Sequence, residues 1–171
     1  DAQVPFVEIL SDVKNVKFNP QEKIIISAEV ETEYEAYALF ESTSTLPEDT
    51  TLSNITLSPT NMTILSSTST VFQMAIKPGI MTSGGSFSFQ LSAYYVNVTE
   101  AGGDNAISIV SFDIEMNSPP ESGSCIVAPS YGYEFSTTFS LETSGWLDDV
   151  EDYPLTYAFS YYTQSADRQT S

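Results

Sequence analysis

Hydrophobic and polar side chains alternate with a period of two along most of the chain, which is the pattern of half-buried β-strands. The clearest example is GGSFSFQLSAYYVNV at 84–98, and KIIISAEVE at 23–31 and STVFQMAIKPG at 69–79 alternate in the same way. We therefore predict three strands, each with one face toward a core. The predicted inward residues are Ile24, Ile26, Ala28, Val30, Phe72, Met74, Ile76, Phe87, Phe89, Leu91, Ala93 and Tyr95.

Weaker patterns predict the remaining strands of the first 117 residues. VPFVEIL at 4–10 is a first strand, and Pro5 near its start fits an edge position because proline cannot donate to a ladder. YEAYALFES at 34–42 is a further strand. A polar region at 43–63 follows, in which NITLS at 54–58 is a candidate short strand.

The last strand of this region is AISIVSFDIEM at 106–116, and TEAGGDN at 99–105 is the turn before it. Its apolar positions shift from Ile107 and Ile109 to Val110 and Phe112, which predicts a β-bulge. About seven short strands with turn residues between them predict an all-β, antiparallel β-sandwich of the immunoglobulin or fibronectin type III kind. Another seven- or eight-stranded sandwich or a barrel is the alternative.

The Pro-, Gly- and Ser-rich segment NSPPESGS at 117–124 interrupts the pattern. We predict a complete sandwich at 1–117, a stiff linker at 118–124 that contains Pro119 and Pro120, and a second, partial sandwich at 125–171. The second unit has three predicted strands, CIVAPS at 125–130, YEFSTTFSLETS at 133–144 and PLTYAFSYYT at 154–163. Three strands leave one apolar face uncovered, so we expect the chain to continue past Ser171 or another chain to supply the missing strands.

Charge and missing residue types exclude several classes of function. The chain has 23 acidic against 5 basic residues, a net charge of −18, which repels nucleic acid and anionic lipid, so we expect neither nucleic-acid binding nor membrane contact. It has no histidine, which removes Ser-His-Asp and Cys-His catalysis and histidine-ligated zinc. We expect a protein that is not an enzyme and needs no cofactor.

Three Asn-X-Thr sequons begin at Asn54, Asn61 and Asn97, and each predicts N-glycosylation if the chain is secreted. The sequence WLDDVED also places Asp148, Asp149, Glu151 and Asp152 within five residues. Calcium favours several oxygen ligands, but this spacing matches no EF-hand, so these residues are weak candidates for a metal site and a solvated acidic turn is the alternative.

The segment from Pro119 to Tyr161 resembles the repeating unit of the REJ (receptor for egg jelly) module of polycystin-1-like proteins and sea urchin sperm receptors. The similarity covers a Pro-Pro linker, Gly-x-Cys, Gly-Trp, an acidic loop and Pro-Leu-x-Tyr. Residues 1–117 resemble the preceding unit more loosely. The matching positions are Pro119, Pro120, Gly123, Cys125, Pro129, Gly145, Trp146, Asp148, Pro154, Leu155 and Tyr157.

The resemblance implies a string of fibronectin type III-like sandwiches in an extracellular or cell-surface protein that acts in cell contact or gamete recognition. It implies structural roles for Pro119, Pro120, Cys125, Trp146, Pro154 and Tyr157. The family's second cysteine falls on Thr143, so the implied disulfide from Cys125 cannot form. Cys125 is then either a buried free thiol or paired with another chain.

Trp146 is expected to fill the sandwich core or to seal the joint with the preceding domain, and ligand stacking is the alternative. The expected partners are other protein domains or chains, including copies of this chain in a filament. A calcium- or ligand-binding module is a further alternative.

Overall fold

The computed structural model describes residues 4–66, 68–97 and 106–161. The chain is nearly all β, with antiparallel sheets as predicted. It divides into two compact units, Asp1–Ser118 (unit 1) and Pro119–Ser171 (unit 2). Each unit is described by itself below.

The described part of unit 1 contains eight strands in two sheets. One sheet has the order β1-β3-β6 and the other has the order β2-β8-β7-β4-β5. All pairs are antiparallel except the two-residue pair of β2 with β8, which is parallel. The strands are β1 Phe6–Ile9, β2 Lys17–Phe18, β3 Ile24–Thr32, β4 Ala36–Ser42, β5 Asn61–Ile64, β6 Thr68–Ile76, β7 Ser86–Tyr95 and β8 Ile107–Met116.

The two sheets pack face to face, which makes unit 1 a β-sandwich. The ring of Phe40 in the five-stranded sheet lies 4.7 Å from that of Phe72 in the three-stranded sheet, measured between centroids. Phe89 stacks on Phe112 at 5.7 Å in the same core. Every inward residue predicted in β3, β6 and β7 is buried, so the period-two prediction is confirmed. The immunoglobulin or fibronectin type III assignment stays a prediction.

The edge position expected near Pro5 is confirmed, because β1 is an outer strand of its sheet. The predicted bulge in β8 is wrong. The register of β7 with β8 is unbroken from Ser86↔Glu115 to Tyr94↔Ile107. Ile107 and Ile109 instead lie on the solvent face, 53% and 57% exposed. The apparent shift in pattern therefore marks apolar residues on the outer face, not an inserted residue.

The connection between β4 and β5 also differs from its prediction. NITLS at 54–58 is not a strand, because Leu52–Ile55 form a single turn of α-helix, α1, after a 3-10 turn at Pro47–Asp49. Leu52 and Ile55 are both buried, and residues three apart share one face of a helix. The strand in this region comes later, at β5. The predicted turn at 99–105 lies outside the described residues.

The described part of unit 2 contains one two-stranded antiparallel sheet, β9 Ser124–Ala128 and β10 Ser140–Ser144, and a 3-10 turn at Val150–Asp152. β10 is shorter than the predicted strand at 133–144, because residues 134–136 form a turn. Residues 154–161 of the predicted third strand are not in a strand. A strand exists only as part of a ladder, and within the described range these residues pair with neither β9 nor β10.

The chain divides after Ser118, and the segment predicted as a linker contributes to unit 2. Glu121 forms a β-bridge with Leu147, with backbone hydrogen bonds of 2.9 Å in both directions. β9 begins at Ser124, the last residue of that segment. The predicted boundaries at 117 and 124 stay predictions.

Candidate functional site

Trp146 is the centre of a small cluster in unit 2, the Trp146 cluster, formed with Gly123, Thr143, Asp148 and Tyr153. The indole lies over Gly123, where an added Cβ would fall 1.9 Å from Cδ2 of Trp146. Only glycine leaves room for the ring at this position. Trp146 is half-buried, and within unit 2 its indole packs against Gly123.

Hydrogen bonds fix the indole from the side of β10. Trp146 Nε1 donates to Thr143 Oγ1 at 2.7 Å, and Thr143 Oγ1 donates to the carbonyl of Ser124 at 3.0 Å. One hydroxyl therefore joins the indole, β10 and the start of β9. Each of the two hydrogen bonds of this hydroxyl, one accepted and one donated, contributes about 1 kcal/mol to stability.

Tyr153 completes the Trp146 cluster from the other side. Its hydroxyl accepts from the backbone N–H of Asp148 at 3.0 Å and donates to the carbonyl of Trp146 at 3.3 Å. The acidic loop is thereby held against the tryptophan. Sequence reasoning did not single out Tyr153, although its place directly before Pro154 in the motif was a usable signal.

The acidic residues of the loop are partly brought together. Carboxylate oxygens of Asp148, Asp149 and Asp152 lie within 4.8 Å of one another, whereas Glu151 is not part of this group. Oδ2 of Asp152 is buried without a hydrogen-bond partner. Three carboxylates at this spacing are a donor set of the hard oxygen type that calcium accepts.

Cys125 lies directly opposite Thr143 in the β9–β10 ladder. Paired residues of antiparallel strands have Cα atoms about 4.5–5.5 Å apart, within the range of a disulfide. The position at which the REJ pattern has its second cysteine is thus the cross-strand partner of Cys125. The interpretation of Cys125 as a buried thiol is wrong, because Cys125 is exposed on a strand whose residues are all exposed. Its pairing with another chain stays a prediction.

The remaining motif residues of unit 2 lie at its surface. Pro119, Pro120 and Pro154 are exposed, and Tyr157 is 49% exposed. Pro129 and Pro154 each follow a cis peptide bond. None of these residues belongs to the Trp146 cluster.

The three sequons lie in different surroundings in unit 1. Asn54 lies in α1 and is exposed, but Thr56 of the same sequon is 7% exposed and its Oγ1 is buried without a hydrogen-bond partner. Asn61 and Thr63 are both exposed on β5. Asn97 is exposed just after β7, and Thr99 lies outside the described residues.

Open clefts with volumes of about 380 and 460 Å³ lie in the described part of unit 1. The first is lined by side chains that include Glu31, Glu33 and Tyr95. The second is lined mainly by serine and threonine between β4 and α1. Neither gathers the residues of the Trp146 cluster.

These features define an all-β module with a sandwich, surface sequons and a tryptophan-centred second unit. Residues 8–171 match the REJ domain, and the chain belongs to the REJ domain family. REJ domains typically occur in extracellular regions of polycystin-like proteins. No curated protein matches the chain. Among the described residues, no helix is long and apolar enough to cross a membrane.

Proposed function

We propose that this chain is an extracellular, N-glycosylated structural and adhesive module, part of a large polycystin-like surface protein. The match to the REJ domain over residues 8–171 is the observation that carries the proposal. The module acts by recognition and by rigidity and catalyses no reaction. Its net charge of −18 resists nonspecific association, and its partners are other protein domains or chains.

The surface of unit 1 supports the proposal. Asn54, Asn61 and Asn97 are exposed, as acceptors of N-glycans must be. The test is to secrete the chain from a eukaryotic cell and measure its mass before and after removal of N-glycans. We expect a loss of mass that maps to one or more of the three sequons, and a secreted chain without any sugar contradicts the proposal.

Adhesion needs a second measurement. Beads coated with the glycoprotein are expected to bind cells or one another, and beads coated with an unrelated acidic glycoprotein are the control. Equal binding of the two kinds of bead contradicts the adhesive role and leaves the extracellular proposal to the mass measurement.

A second candidate function is that of a filament subunit whose second unit is completed by a neighbouring chain. It is favoured by apolar side chains on one face of the two-stranded sheet, where Val127 and Leu141 lie opposite each other and are each 47% exposed. Strands from a neighbouring chain would extend this sheet at its edge and supply the second layer that covers the face. Sedimentation velocity across a concentration series tests it, and a monomer at every concentration contradicts it.

A third candidate is a calcium-binding module, favoured by the carboxylates of Asp148, Asp149 and Asp152 with the buried Oδ2 atom of Asp152. Calcium titration followed by calorimetry and by the melting temperature tests this candidate. Asp152→Asn is the informative variant because it removes the buried charge. The absence of both heat and a shift in melting temperature contradicts a calcium site.

A further inference from the structure

The outer face of the five-stranded sheet in unit 1 has two chemically different halves. In the polar half, Gln90 Nε2 donates to Glu41 Oε2 at 3.0 Å and Ser88 Oγ donates to Asp113 Oδ1 at 2.6 Å. These pairs cross from strand to strand and satisfy one another. This half resembles the surface expected of so acidic a chain.

The other half is an apolar patch, the outer-face patch, formed by Tyr37, Leu39, Tyr94, Ile107 and Ile109. The register aligns these residues in two adjacent rows across β4, β7 and β8. The rings of Tyr37 and Tyr94 lie 5.6 Å apart, and Tyr94 is 39% exposed. No charged side chain lies in either row, although the chain carries 28 charged residues, 23 acidic and 5 basic.

The outer-face patch is densely packed for a surface. Ser92 lies in the same row as Leu39 and Ile109, points outward with them and is only 9% exposed. Its hydroxyl donates to the carbonyl of Leu39 at 3.4 Å. The larger neighbours therefore shield this small polar residue and present a continuous apolar surface, which in a monomeric protein marks a binding site or a covered region.

The same two rows continue onto β5 and end in a sequon. Asn61 pairs with Leu39, and Thr63 pairs with Tyr37. β5 is the edge strand of the sheet, so Asn61 lies at the border of the outer-face patch, one strand spacing of about 4.8 Å from Leu39. Asn54 is different, because it lies in α1 and not on this face.

Sugar rings have polar rims and apolar C–H faces, so they can cover tyrosine and isoleucine side chains while remaining hydrated at the edge. A sugar that is covalently attached to Asn61 is held at the patch and does not lose the translational freedom that a separate partner loses on binding. We propose that the first sugars of an N-glycan on Asn61 fold back over the outer-face patch and shield it from other proteins. This inference rests on the extracellular function proposed above.

The test compares the secreted glycoprotein with Asn61→Gln and with the matched control Asn54→Gln. Each variant removes one sequon by the same chemical change, but only the first removes a sugar beside the outer-face patch. Tyrosine nitration, read by peptide mass spectrometry, measures access to Tyr37 and Tyr94. We expect a several-fold increase in their labelling in Asn61→Gln and no change in Asn54→Gln.

Thr63→Ala provides an independent variant, because it abolishes the sequon while keeping the asparagine. We expect it to raise the labelling of Tyr94 as Asn61→Gln does. Enzymatic trimming of the wild-type glycan to its first sugar then measures how much of the protection the inner residue provides.

Each contrary result has a distinct meaning. Sugar on Asn54 or Asn97 with Asn61 bare overturns this inference but leaves the extracellular proposal intact, whereas no sugar at any sequon overturns both. An occupied Asn61 whose removal leaves the labelling of Tyr94 unchanged overturns the inference. Protection that disappears on dilution also overturns it, because a second copy of the chain is then the cover.

Discussion

Unit 1 and unit 2 share a period-two pattern but not its consequence. In β3 of unit 1 every second residue is buried, whereas in β10 of unit 2, where polar residues alternate with Leu141 and Thr143, no residue is buried. The contrast extends to single side chains, because Phe40 in unit 1 is 1% exposed and Phe135 in unit 2 is 100% exposed. Alternation therefore specifies a strand with two different faces but does not by itself bury either face.

Burial requires a second layer, and the described part of unit 2 has only one sheet. Its cohesion comes from the Trp146 cluster, in which a close glycine contact and four side-chain hydrogen bonds hold the segments together. Unit 1 depends instead on the apolar contacts between two sheets. The two units should thus respond differently to the same kind of substitution.

The largest expected effect is that of removing an aromatic ring from the core of unit 1. Phe40→Ala should lower the free energy of unfolding by about 3–5 kcal/mol, because Phe40 contacts both Phe72 and Phe112 between the sheets. Urea unfolding followed by circular dichroism measures the change. Phe135→Ala is the matched control, with an expected change within about 0.5 kcal/mol. Equal effects of the two substitutions would refute the comparison between the units.

Thr143→Cys should create a disulfide with Cys125, because the two positions are paired across β9 and β10. Closing a loop of this length contributes about 3 kcal/mol, offset by about 1–2 kcal/mol because both hydrogen bonds of the Thr143 hydroxyl are lost. We expect a net stabilisation of unit 2. It is measured as a higher urea midpoint of unfolding, followed by the fluorescence of Trp146, the only tryptophan in the chain. The gain should disappear under reducing conditions, and two titratable thiols in the oxidised variant would contradict the predicted bond.

Gly123→Ala should displace the indole of Trp146, since the added Cβ would meet the ring at 1.9 Å. Such overpacking costs about 1–3 kcal/mol, and the emission of Trp146 should shift to the red as the ring becomes exposed. Gly145→Ala is the control, because nothing lies within 4 Å of its added Cβ and its cost comes only from a φ of +75°. An unchanged emission spectrum in Gly123→Ala would show that the close contact does not hold the ring.

The smallest expected effect is that of removing the hydroxyl of Thr143, which binds the indole of Trp146 to β9. Thr143→Val keeps the shape of the side chain but removes the acceptor of Trp146 and the donor to Ser124, and the loss of the two hydrogen bonds should cost about 1–2 kcal/mol. Thr143→Ser retains the hydroxyl, so its free energy of unfolding should stay close to that of the wild type. Equal urea midpoints of the Trp146 fluorescence transition in the wild type, Thr143→Val and Thr143→Ser would show that these hydrogen bonds do not stabilise unit 2.

Much of the sandwich was predictable because its inner residues are strongly patterned. The inward faces of β3, β6 and β7 follow directly from their alternation. β8 was harder to interpret, since Ile107 and Ile109 are apolar yet exposed, and a pattern cannot distinguish a bulge from an outer face that carries apolar residues. The helical turn at Leu52–Ile55 was also missed, because four residues are too few to show a helical repeat of hydrophobic positions.

The candidate sites were predictable as residue types but not as assemblies. The acidic loop is visible in the sequence, but that Asp148, Asp149 and Asp152 converge while Glu151 does not depends on the turn at Val150–Asp152. Asn61 is recognisable as a sequon, but its place beside the outer-face patch depends on which strand pairs with β4. That pairing joins residues 22 to 28 positions apart in the sequence.

The sequence by itself determined the β class, the inner faces of the long strands, the negative charge and the sequons, because these depend on residue type and local spacing. Only the tertiary structure decided which residues meet across strands, such as Cys125 with Thr143 and Asn61 with Leu39. Cross-strand contacts depend on register, and register is fixed jointly by packing and turn geometry along the whole ladder. The tertiary structure also decided that the same alternation is buried in unit 1 and exposed in unit 2, because burial depends on a second sheet and not on the strand that carries the pattern.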